Sequence, residues 1–516
     1  MGVYILQKYS QILKNLRIEI IIMKLFELGI EGISDGLRKK EFSSLEATQA
    51  YLERINDWNP KLNAYLSIAG ESALEQAREA DERRRNGEDG LLLGVPLAIK
   101  DNITVVGMPT TAASKILENY QSAYDATVIK KLKDLGAVIL GKTNLDEFAH
   151  GASTENSAFC TTRNPWDLDR VPGGSSGGSA AAVSADLCAG ALGSDTGGSI
   201  RCPAGFCGVV GFKPSYGRVS RSGLLSMTSS TDVIGPITKT IADAAILLDA
   251  IAGPDALDQT AIPIAPRQNE YHEAVSGRHD LNGLSFGIPI EWFDVEGLEG
   301  DVKSAIEEAI KQIKNLGGKI VEISLPNTKY GVPVYYVITP SEISANLSRY
   351  DGIRFGYQAA ASNLFDVYAK SRGQGFGPEA KRRIMIGTYA LSHGYYDAYY
   401  LQAQKVRTII SNDFAKAFEN VDLILGPASP HVAFKIGSQV EDPLKMYLED
   451  IYMSSSSLAG IPAVVIPAGF AKPEDGESEM PVGLQLIGRR FEEATILSAG
   501  HVFEQATEWH KQRPKL

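Results

Sequence analysis

The sequence predicts an α/β protein whose sheet is largely covered by helices. Segments with helical and with strand patterns alternate along most of the 516 residues. Hydrophobic residues make up 44% of the composition, which is enough for a large core. No compositional shift or internal repeat marks a domain linker. The sequence therefore favours one large domain, although its length could hold two or three average ones.

Two helices are predicted near the N-terminal end, within about residues 43–85. The first opens with Ser43 and Glu46 in the spacing of a capping box, after which apolar residues recur on one helical face. Pro60 is expected to follow the end of this helix. The second helix spans residues 71–85 and ends before an Asn-Gly pair.

A buried strand is predicted next, over the apolar residues 91–99, and it ends at Lys100 and Asp101. Helix and strand patterns then alternate. Helices are predicted over residues 126–135, 242–251 and 302–316. Strands are predicted over residues 137–140, 284–288, 319–325, 423–425, 463–466 and 482–487. The polar residues 266–279 and 472–479 are expected to form surface loops.

Charge and cysteine content narrow the classes of function. The formal net charge of −11 argues against a protein that holds nucleic acid by itself, because phosphate is bound mainly by Lys and Arg. The four cysteines form no CxxC pair and the seven histidines are scattered, so neither a zinc site nor a disulfide scaffold is expected. Reduced cysteines fit a cytoplasmic protein.

Residues 1–22 are predicted to be a dispensable N-terminal extension. Their apolar run at residues 18–23 is interrupted by Glu19 and is too short to span a bilayer. Neither a secretory signal nor a lipidation motif fits. Met23 is a second candidate start, and we expect a chain that begins there to be active.

Two glycine-serine clusters stand out, at residues 173–179 and 194–199. Segments of this composition are usually flexible linkers. Here the neighbouring residues 180–183 and 208–212 are apolar and are expected to be buried. Glycines packed against a core indicate close backbone approach, with N–H groups free to face a ligand, and an oxyanion is the natural candidate.

The clusters also carry a resemblance. The stretches GGSSGGSAAAV (173–183), GSDTGGSIRCPAGFCGVVGFKP (193–214) and GVPLAIKDN (94–102) resemble the motifs of the amidase-signature family of serine hydrolases. The resemblance extends along most of the chain and is greatest to the glutamine-hydrolysing subunits of tRNA-dependent amidotransferases. It implies a single amidase-signature domain over residues 23–516, with a mixed central β-sheet sandwiched between α-helices.

Ser199 is the candidate nucleophile, because backbone N–H groups can converge beside it to hold an oxyanion. Each such donor is worth roughly 3 to 4 kcal/mol. The predicted oxyanion hole consists of Thr196, Gly197, Gly198 and Ser199. No histidine lies in the motifs to act as base. Lys100 follows an apolar strand, and burial disfavours its charged form, so a neutral amine can take this role.

Ser175 completes the candidate catalytic triad by the resemblance. The family places a serine after a cis peptide bond, here the bond that follows Gly174, and this serine relays the proton from nucleophile to lysine. The sequence separations from Lys100 to Ser175 and from Ser175 to Ser199 are those that the resemblance implies. Two further serines are expected to support the triad through hydrogen bonds, Ser176 and Ser179.

Substrate recognition is assigned by the resemblance as well. Tyr335 in VPVYYVI, Arg383 in EAKRRIMIGTYALS and Asp450 in DPLKMYLED correspond to residues that recognise glutamine. Arg383 can bind the α-carboxylate with two parallel hydrogen bonds and Asp450 the α-ammonium, which leaves the side-chain amide facing Ser199. His150, in NLDEFAHGASTEN, stands where the family carries methionine, and no role is assigned to it.

The resemblance implies a glutaminase subunit of a heterotrimer. Ammonia from glutamine would pass to a partner subunit that activates Glu-tRNA(Gln), or Asp-tRNA(Asn), with ATP and Mg2+. The partner would hold most of the tRNA, a third small subunit would wrap this chain, and this chain itself would need no cofactor, metal or membrane. One alternative is a stand-alone amidase acting on another small amide. Another is a non-catalytic scaffold, against which the retained candidate triad argues.

Two other motifs have competing interpretations. Residues 136–143 match the phosphate-loop pattern GxxxxGK[ST], but the four intervening residues are apolar and strand-forming, so a buried strand is expected. Residues 173–177 match the GxSxG nucleophile elbow of α/β-hydrolases. An elbow follows directly on a strand, whereas residues 164–172 have the composition of a loop.

Overall fold

A computed structural model of the chain describes residues 25–295, 297–439, 443–476 and 478–516. The predicted extension, residues 1–22, lies outside the described residues. Within them, eleven strands form one mixed sheet, and the inner strands are buried beneath helices. This architecture confirms the predicted fold class.

The sheet has the strand order β1-β3-β2-β4-β6-β5-β10-β11-β9-β7-β8. The strands are β1 (Tyr65–Ile68), β2 (Pro96–Lys100), β3 (Val138–Thr143), β4 (Gly190–Asp195), β5 (Val210–Lys213), β6 (Val233–Thr238), β7 (Ser285–Pro289), β8 (Lys319–Ile323), β9 (Leu423–Pro427), β10 (Ala463–Ala471) and β11 (Met480–Gly488). Strand β2 is parallel to β3 and β4, and β7 is parallel to β8 and β9, while the other neighbours are antiparallel.

The helices that cover the sheet are spread along the whole described chain. They are α1 (Ile30–Lys39), α2 (Ser44–Leu62), α3 (Gly70–Arg85), α4 (Thr127–Asp134), α5 (Gly177–Ser184), α6 (Arg201–Cys207), α7 (Ile241–Ile251), α8 (Glu270–Ser276), α9 (Gly300–Asn315), α10 (Gly331–Asn346), α11 (Leu364–Gly375), α12 (Pro378–Ala390), α13 (Gln402–Ala417), α14 (Pro443–Leu448), α15 (Ser454–Leu458) and α16 (Glu493–Gln505). No helix in this part of the chain combines the length and hydropathy that a membrane crossing requires.

Helix α2 begins where the sequence indicates but ends later. The capping box is present: Ser43 Oγ accepts the N–H of Glu46 at 3.1 Å, and Glu46 Oε2 accepts that of Ser43 at 2.7 Å. The prediction that Pro60 follows the helix is wrong, because α2 continues through Pro60. Leu62 in the same last turn is fully buried, and its burial offsets the hydrogen bond that proline cannot donate. The helix ends at Asn63 in the left-handed conformation, φ 53°.

Two other predicted boundaries need correction. Residues 91–99 are not one strand, since the chain turns at Gly94 (φ +80°) and β2 begins at Pro96. A Cβ on Gly94 would lie 2.8 Å from the side chain of Ser44, so the turn requires glycine. Residues 266–279, predicted to be a loop, contain α8, which packs on α7 and α16. Residues 136–143 include β3, fully buried, as the strand interpretation of the phosphate-loop pattern predicts.

The central strands place the candidate site. Strands β2 and β4 are parallel neighbours, with Ile99 opposite Leu192, so their C-terminal ends meet at one edge of the sheet. Lys100 ends β2 and Asp195 ends β4. Both glycine-serine clusters lie at this edge. The first runs into the first turn of α5, and the second joins the end of β4 to α6. Two stretches far apart in sequence are thereby brought together.

Candidate active site

The amine of Lys100 lies in a buried cluster of serine hydroxyls. Its Nζ is 2.8 Å from Ser175 Oγ, 2.7 Å from Ser176 Oγ and 3.0 Å from Ser194 Oγ. Ser176 Oγ donates its own hydrogen to the carbonyl oxygen of Ser194 at 3.1 Å. The hydroxyl of Ser175 contacts no further hydrogen-bond partner within the described residues, so its hydrogen is available to the amine of Lys100.

Burial sets the charge of this amine. It lowers the pKa of Lys100 to about 7, even though the negative charges of Asp146, Asp195 and Asp232 act to raise it. Near neutral pH, the neutral and protonated amines are therefore present in comparable amounts. A neutral amine carries a lone pair that can accept a proton, which is what a general base for a serine requires.

The first glycine-serine cluster, in the loop before α5 and in its first turn, is packed too closely for side chains at its glycines. The peptide bond between Gly174 and Ser175 is cis. A Cβ on Gly174 would lie 2.2 Å from Asp146 Oδ2, and one on Gly178 would lie 2.4 Å from the carbonyl oxygen of Asn144. These contacts seat the first glycine-serine cluster directly on the residues that follow β3.

Of the two serines expected to support the triad, Ser176 contacts a triad residue and Ser179 does not. Ser176 bonds Lys100 directly. Ser179 Oγ lies 2.7 Å from Thr143 Oγ1 and donates to the carbonyl oxygen of Leu192 at 3.2 Å, so that it connects β3 and β4 through α5.

Ser199 lies at the accessible side of the cluster. It is 8% exposed, whereas Lys100 and Ser175 are fully buried, so that of the three it is Ser199 that can meet a substrate. Its carbonyl oxygen accepts the N–H of Ser176 at 3.0 Å, which ties the two glycine-serine clusters together. The N–H groups of Gly197, Gly198 and Ser199 have no acceptor among the described residues. They are therefore available to stabilise an oxyanion.

A buried ion pair fixes the loop that carries these donors. Arg201 donates to both carboxylate oxygens of Asp195, each at 3.1 Å, and to Gln485 Oε1 at 2.7 Å. Asp195 Oδ2 also accepts the N–H of Ile200 at 3.1 Å. Burial acts to raise the pKa of Asp195, but the charge and hydrogen bonds of Arg201, together with the charge of Lys213 and the N–H of Ile200, hold it below its usual value. Both ends of residues 195–201 are thus tied to one carboxylate.

Two of the residues assigned to substrate recognition contact the glycines of this loop. A Cβ on Gly197 would lie 2.5 Å from Tyr335 Cζ. One on Gly198, which has φ +153°, would lie 3.3 Å from Asp450 Oδ1. Tyr335 and Asp450 therefore border the candidate oxyanion hole.

The third residue, Arg383, is joined to Asp450 through Tyr336. Tyr336 Oη donates to Asp450 Oδ2 at 2.9 Å, and the guanidinium of Arg383 lies 5.2 Å from the centroid of the Tyr336 ring. The Tyr447 ring also lies near this guanidinium, at 5.5 Å. Arg383 Nε donates to Glu379 Oε1 at 2.7 Å. Its terminal nitrogens have no hydrogen-bond partner in the described part of the chain and can bind a carboxylate.

Burial also perturbs Asp450. It raises the pKa of this carboxyl to about 7, against the hydrogen bond from Tyr336 and the charge of Arg383, which lower it. An ammonium group bound beside Asp450 would favour the ionised carboxylate.

Sequence reasoning missed Tyr336, Glu379 and Tyr447. Glu379 stands four residues before Arg383, which is the spacing of a helical ion pair, so a prediction of α12 would have indicated it. Tyr336 and Tyr447 stack with ring centroids 3.8 Å apart. No sequence pattern announces that contact, because it joins two elements distant in the chain.

The fold and this arrangement are those of the amide hydrolases. Comparison with known proteins agrees. The family model described as Amidase matches residues 46–497, and the chain belongs to the amidase-signature family.

The similar proteins fall into two groups. The A subunit of glutamyl-tRNA(Gln) amidotransferase of Carboxydothermus hydrogenoformans is 53% identical, over 96% of this chain and 100% of the relative. The protein of the same name from Thermoanaerobacter pseudethanolicus is 54% identical, over 95% of this chain and 98% of the relative. Among solved structures, the A subunit from Thermotoga maritima matches with TM-score 0.73 and 43% identity, covering 94% of both chains. Native peptide amidase from Stenotrophomonas maltophilia matches with TM-score 0.79 and 30% identity, covering 95% of this chain and 98% of that one.

Proposed function

We propose that this chain is the glutaminase subunit of a tRNA-dependent amidotransferase and corresponds to the A subunit of the glutamyl-tRNA(Gln) enzyme. The observation that carries the proposal is the pair of opposite charges, Arg383 and Asp450, held beside the candidate oxyanion hole. The names and extents of the similar subunits support it.

The paired charges suit a free amino acid. The guanidinium of Arg383 binds the α-carboxylate, and the carboxylate of Asp450 binds the α-ammonium. With both ends of the amino acid held, the side-chain amide of glutamine is directed at Ser199. Tyr336 contacts both charged side chains and keeps them at a fixed separation.

The chemistry proceeds through a covalent intermediate. Ser199 Oγ attacks the amide carbon while its proton passes through the hydroxyl of Ser175 to the neutral amine of Lys100. The backbone N–H groups of Gly197, Gly198 and Ser199, together with Thr196, stabilise the oxyanion. Lys100 returns the proton through Ser175 to the leaving nitrogen, and ammonia departs. Water then attacks the glutamyl ester by the same relay, and glutamate is released.

The released ammonia has a further use in this proposal. A partner protein consumes it to convert Glu-tRNA(Gln) to Gln-tRNA(Gln), or Asp-tRNA(Asn) to Asn-tRNA(Asn), using ATP and Mg2+ bound in the partner. This chain needs neither a cofactor nor a metal for its own reaction. The net charge of −11 supports placing most of the tRNA contact on the partner, in a cytoplasmic heterotrimer with a third small subunit.

The test is ammonia release from glutamine, asparagine and a simple aromatic amide, first by the full chain and then by the chain co-purified with its partner subunits. The variants are Ser199→Ala, Arg383→Ala and, as a matched control, the exposed Arg354→Ala. We expect Ser199→Ala to abolish release, Arg383→Ala to weaken glutamine turnover selectively, and Arg354→Ala to have no effect.

Two results would contradict the proposal. Equal or better turnover of the aromatic amide, insensitive to Arg383→Ala, would identify a stand-alone amidase. If ammonia release by the chain together with its partner subunits is unchanged by Ser199→Ala, this chain has a scaffold role.

A further inference from the structure

His150 lies between the catalytic loops and helix α12. Its segment contacts both sides: the carboxylate of Asp146 lies against Gly174, and Glu147 Oε2 accepts the N–H of Gly377, directly before α12, at 2.8 Å. The carbonyl oxygen of His150 accepts a hydrogen bond from the side chain of Asn156 at 3.0 Å, so the backbone here is fixed. The imidazole is therefore placed beside the helix that carries the proposed carboxylate-binding arginine.

The ring of His150 has unmet hydrogen-bonding capacity. The residue is fully buried, yet neither ring nitrogen has a hydrogen-bond partner among the residues that the structure describes. Buried polar groups are almost always hydrogen-bonded, and leaving one unpaired is destabilising. The neighbouring ring of Phe148, 6.3 Å away between centroids, is apolar and cannot supply a partner. Within the described residues the ring nitrogens are thus open to a water molecule or a ligand.

Arg383 acts on the same imidazole. Burial, and then the charge of Arg383, lower the pKa of His150 well below its ordinary value, so the ring is neutral at neutral pH. A neutral imidazole has one N–H donor and one acceptor nitrogen. The terminal nitrogens of Arg383 and the ring nitrogens of His150 are thus polar atoms without partners in the described chain, and the charge of Arg383 acts on the ring.

We propose that His150 is a positioning residue for the substrate carboxylate: one ring N–H donates a hydrogen bond to the carboxylate that Arg383 binds. The inference rests on the proposed function, since that carboxylate belongs to glutamine. Arg383 supplies the charge and His150 fixes the second oxygen, so that the carboxylate has one orientation. An ordered water molecule on His150 is the alternative, and it would make no contribution that depends on the carboxylate.

The test compares two ligands that differ in the carboxylate alone, glutamine and 4-aminobutanamide. Their dissociation constants are measured by ligand-observed NMR titration of the full chain carrying Ser199→Ala, which prevents turnover. His150→Met is added to remove the donor at similar volume, and His150→Gln to restore an N–H donor. His510→Met serves as the matched control, since His510 is a buried histidine at the C-terminal end.

We expect His150→Met to weaken glutamine binding about 10- to 100-fold, as for a hydrogen bond to a charged group. Binding of 4-aminobutanamide should change less than about 2-fold, because it lacks the acceptor. His150→Gln should recover part of the loss, and His510→Met should change neither constant. Thermal melting of each variant identifies any that is unfolded. If one of the two His150 variants is unfolded, the dissociation constants of the other one test the inference.

The outcomes separate this inference from the proposed function. If both ligands weaken equally, or neither does, His150 is structural and the inference is overturned while the function stands. If the Ser199→Ala chain binds glutamine no better than 4-aminobutanamide, no carboxylate site exists. That result overturns the inference and contradicts the proposed function as well.

Discussion

The reactivity of Ser199 should report the pKa of Lys100. Burial lowers that pKa from 10.5 to about 7. At pH 7 about half of the amine is then neutral, whereas an amine with the ordinary pKa would be neutral in about one molecule in 3,000. The buried site thus holds roughly 1,500 times more of the proton-accepting form, which is equivalent to about 4 kcal/mol.

The assay follows modification of Ser199 by a small sulfonyl fluoride, measured by intact mass over a range of about pH 5.5 to pH 11 that brackets both pKa values. It requires neither partner proteins nor a substrate. A lowered pKa means that the neutral base is lost as the pH falls through about 7. The rate should therefore rise about tenfold per pH unit below pH 7 and level off above it. Ser199→Ala identifies any label at other residues.

Two variants sharpen this experiment. Lys100→Met removes the base, and Lys100→Arg keeps a cation that does not deprotonate in proteins. Both should react slowly and without the inflection near pH 7. A wild-type rate that continues to rise to about pH 10 would show an ordinary pKa and refute the argument from burial. A profile that Lys100→Met leaves unchanged would refute the assignment of Lys100 as base.

Three further predictions concern recognition. Gly197→Ala places a methyl group 2.5 Å from the Tyr335 ring, so we expect glutamine kcat/KM to fall by about 100-fold in steady-state assays; full activity would contradict the packing. Burial raises the pKa of Asp450 to about 7, so the carboxylate that binds ammonium is lost below that pH. KM for glutamine should rise as the pH falls, and Asp450→Asn should remove this dependence. A KM independent of pH would count against ammonium binding by Asp450. Glu379→Gln removes the charged partner of Arg383, and we expect about tenfold weaker glutamine binding by NMR titration. An unchanged affinity would show that another residue holds Arg383 in place.

The burial of Lys100 and the close packing of the second glycine-serine cluster were predictable because their signals are local. An apolar run that ends in Lys100 already indicates a buried amine, and burial is the physical cause of the lowered pKa. The glycines of the second cluster indicate close packing, and Gly197 and Gly198 indeed have no space for a Cβ. In both cases the signal lies in residues adjacent in sequence.

The contacts among the residues proposed for recognition could not be predicted from local signals. Tyr336 and Asp450 are 114 positions apart, and their hydrogen bond depends on how α10 lies against the residues before α15. Periodicity describes one element at a time and cannot place two elements against each other. The same limit explains α8, whose only buried residues, Tyr271 and Val275, form too short a pattern to distinguish a helix from a polar loop.

The residues proposed for catalysis and those proposed for substrate recognition meet at Gly197 and Gly198, but they come from different elements. This difference decides which experiment identifies the enzyme. The proposed base and relay come from β2 and the loop before α5, whereas the charges proposed to select the substrate come from α12 and from Asp450. A change of substrate can therefore occur without disturbing the base. Peptide amidase shares the fold at 30% identity, which agrees with this view. Because Ser199→Ala stops an amidase and a glutaminase alike, the selectivity lost in Arg383→Ala is the measurement that distinguishes them.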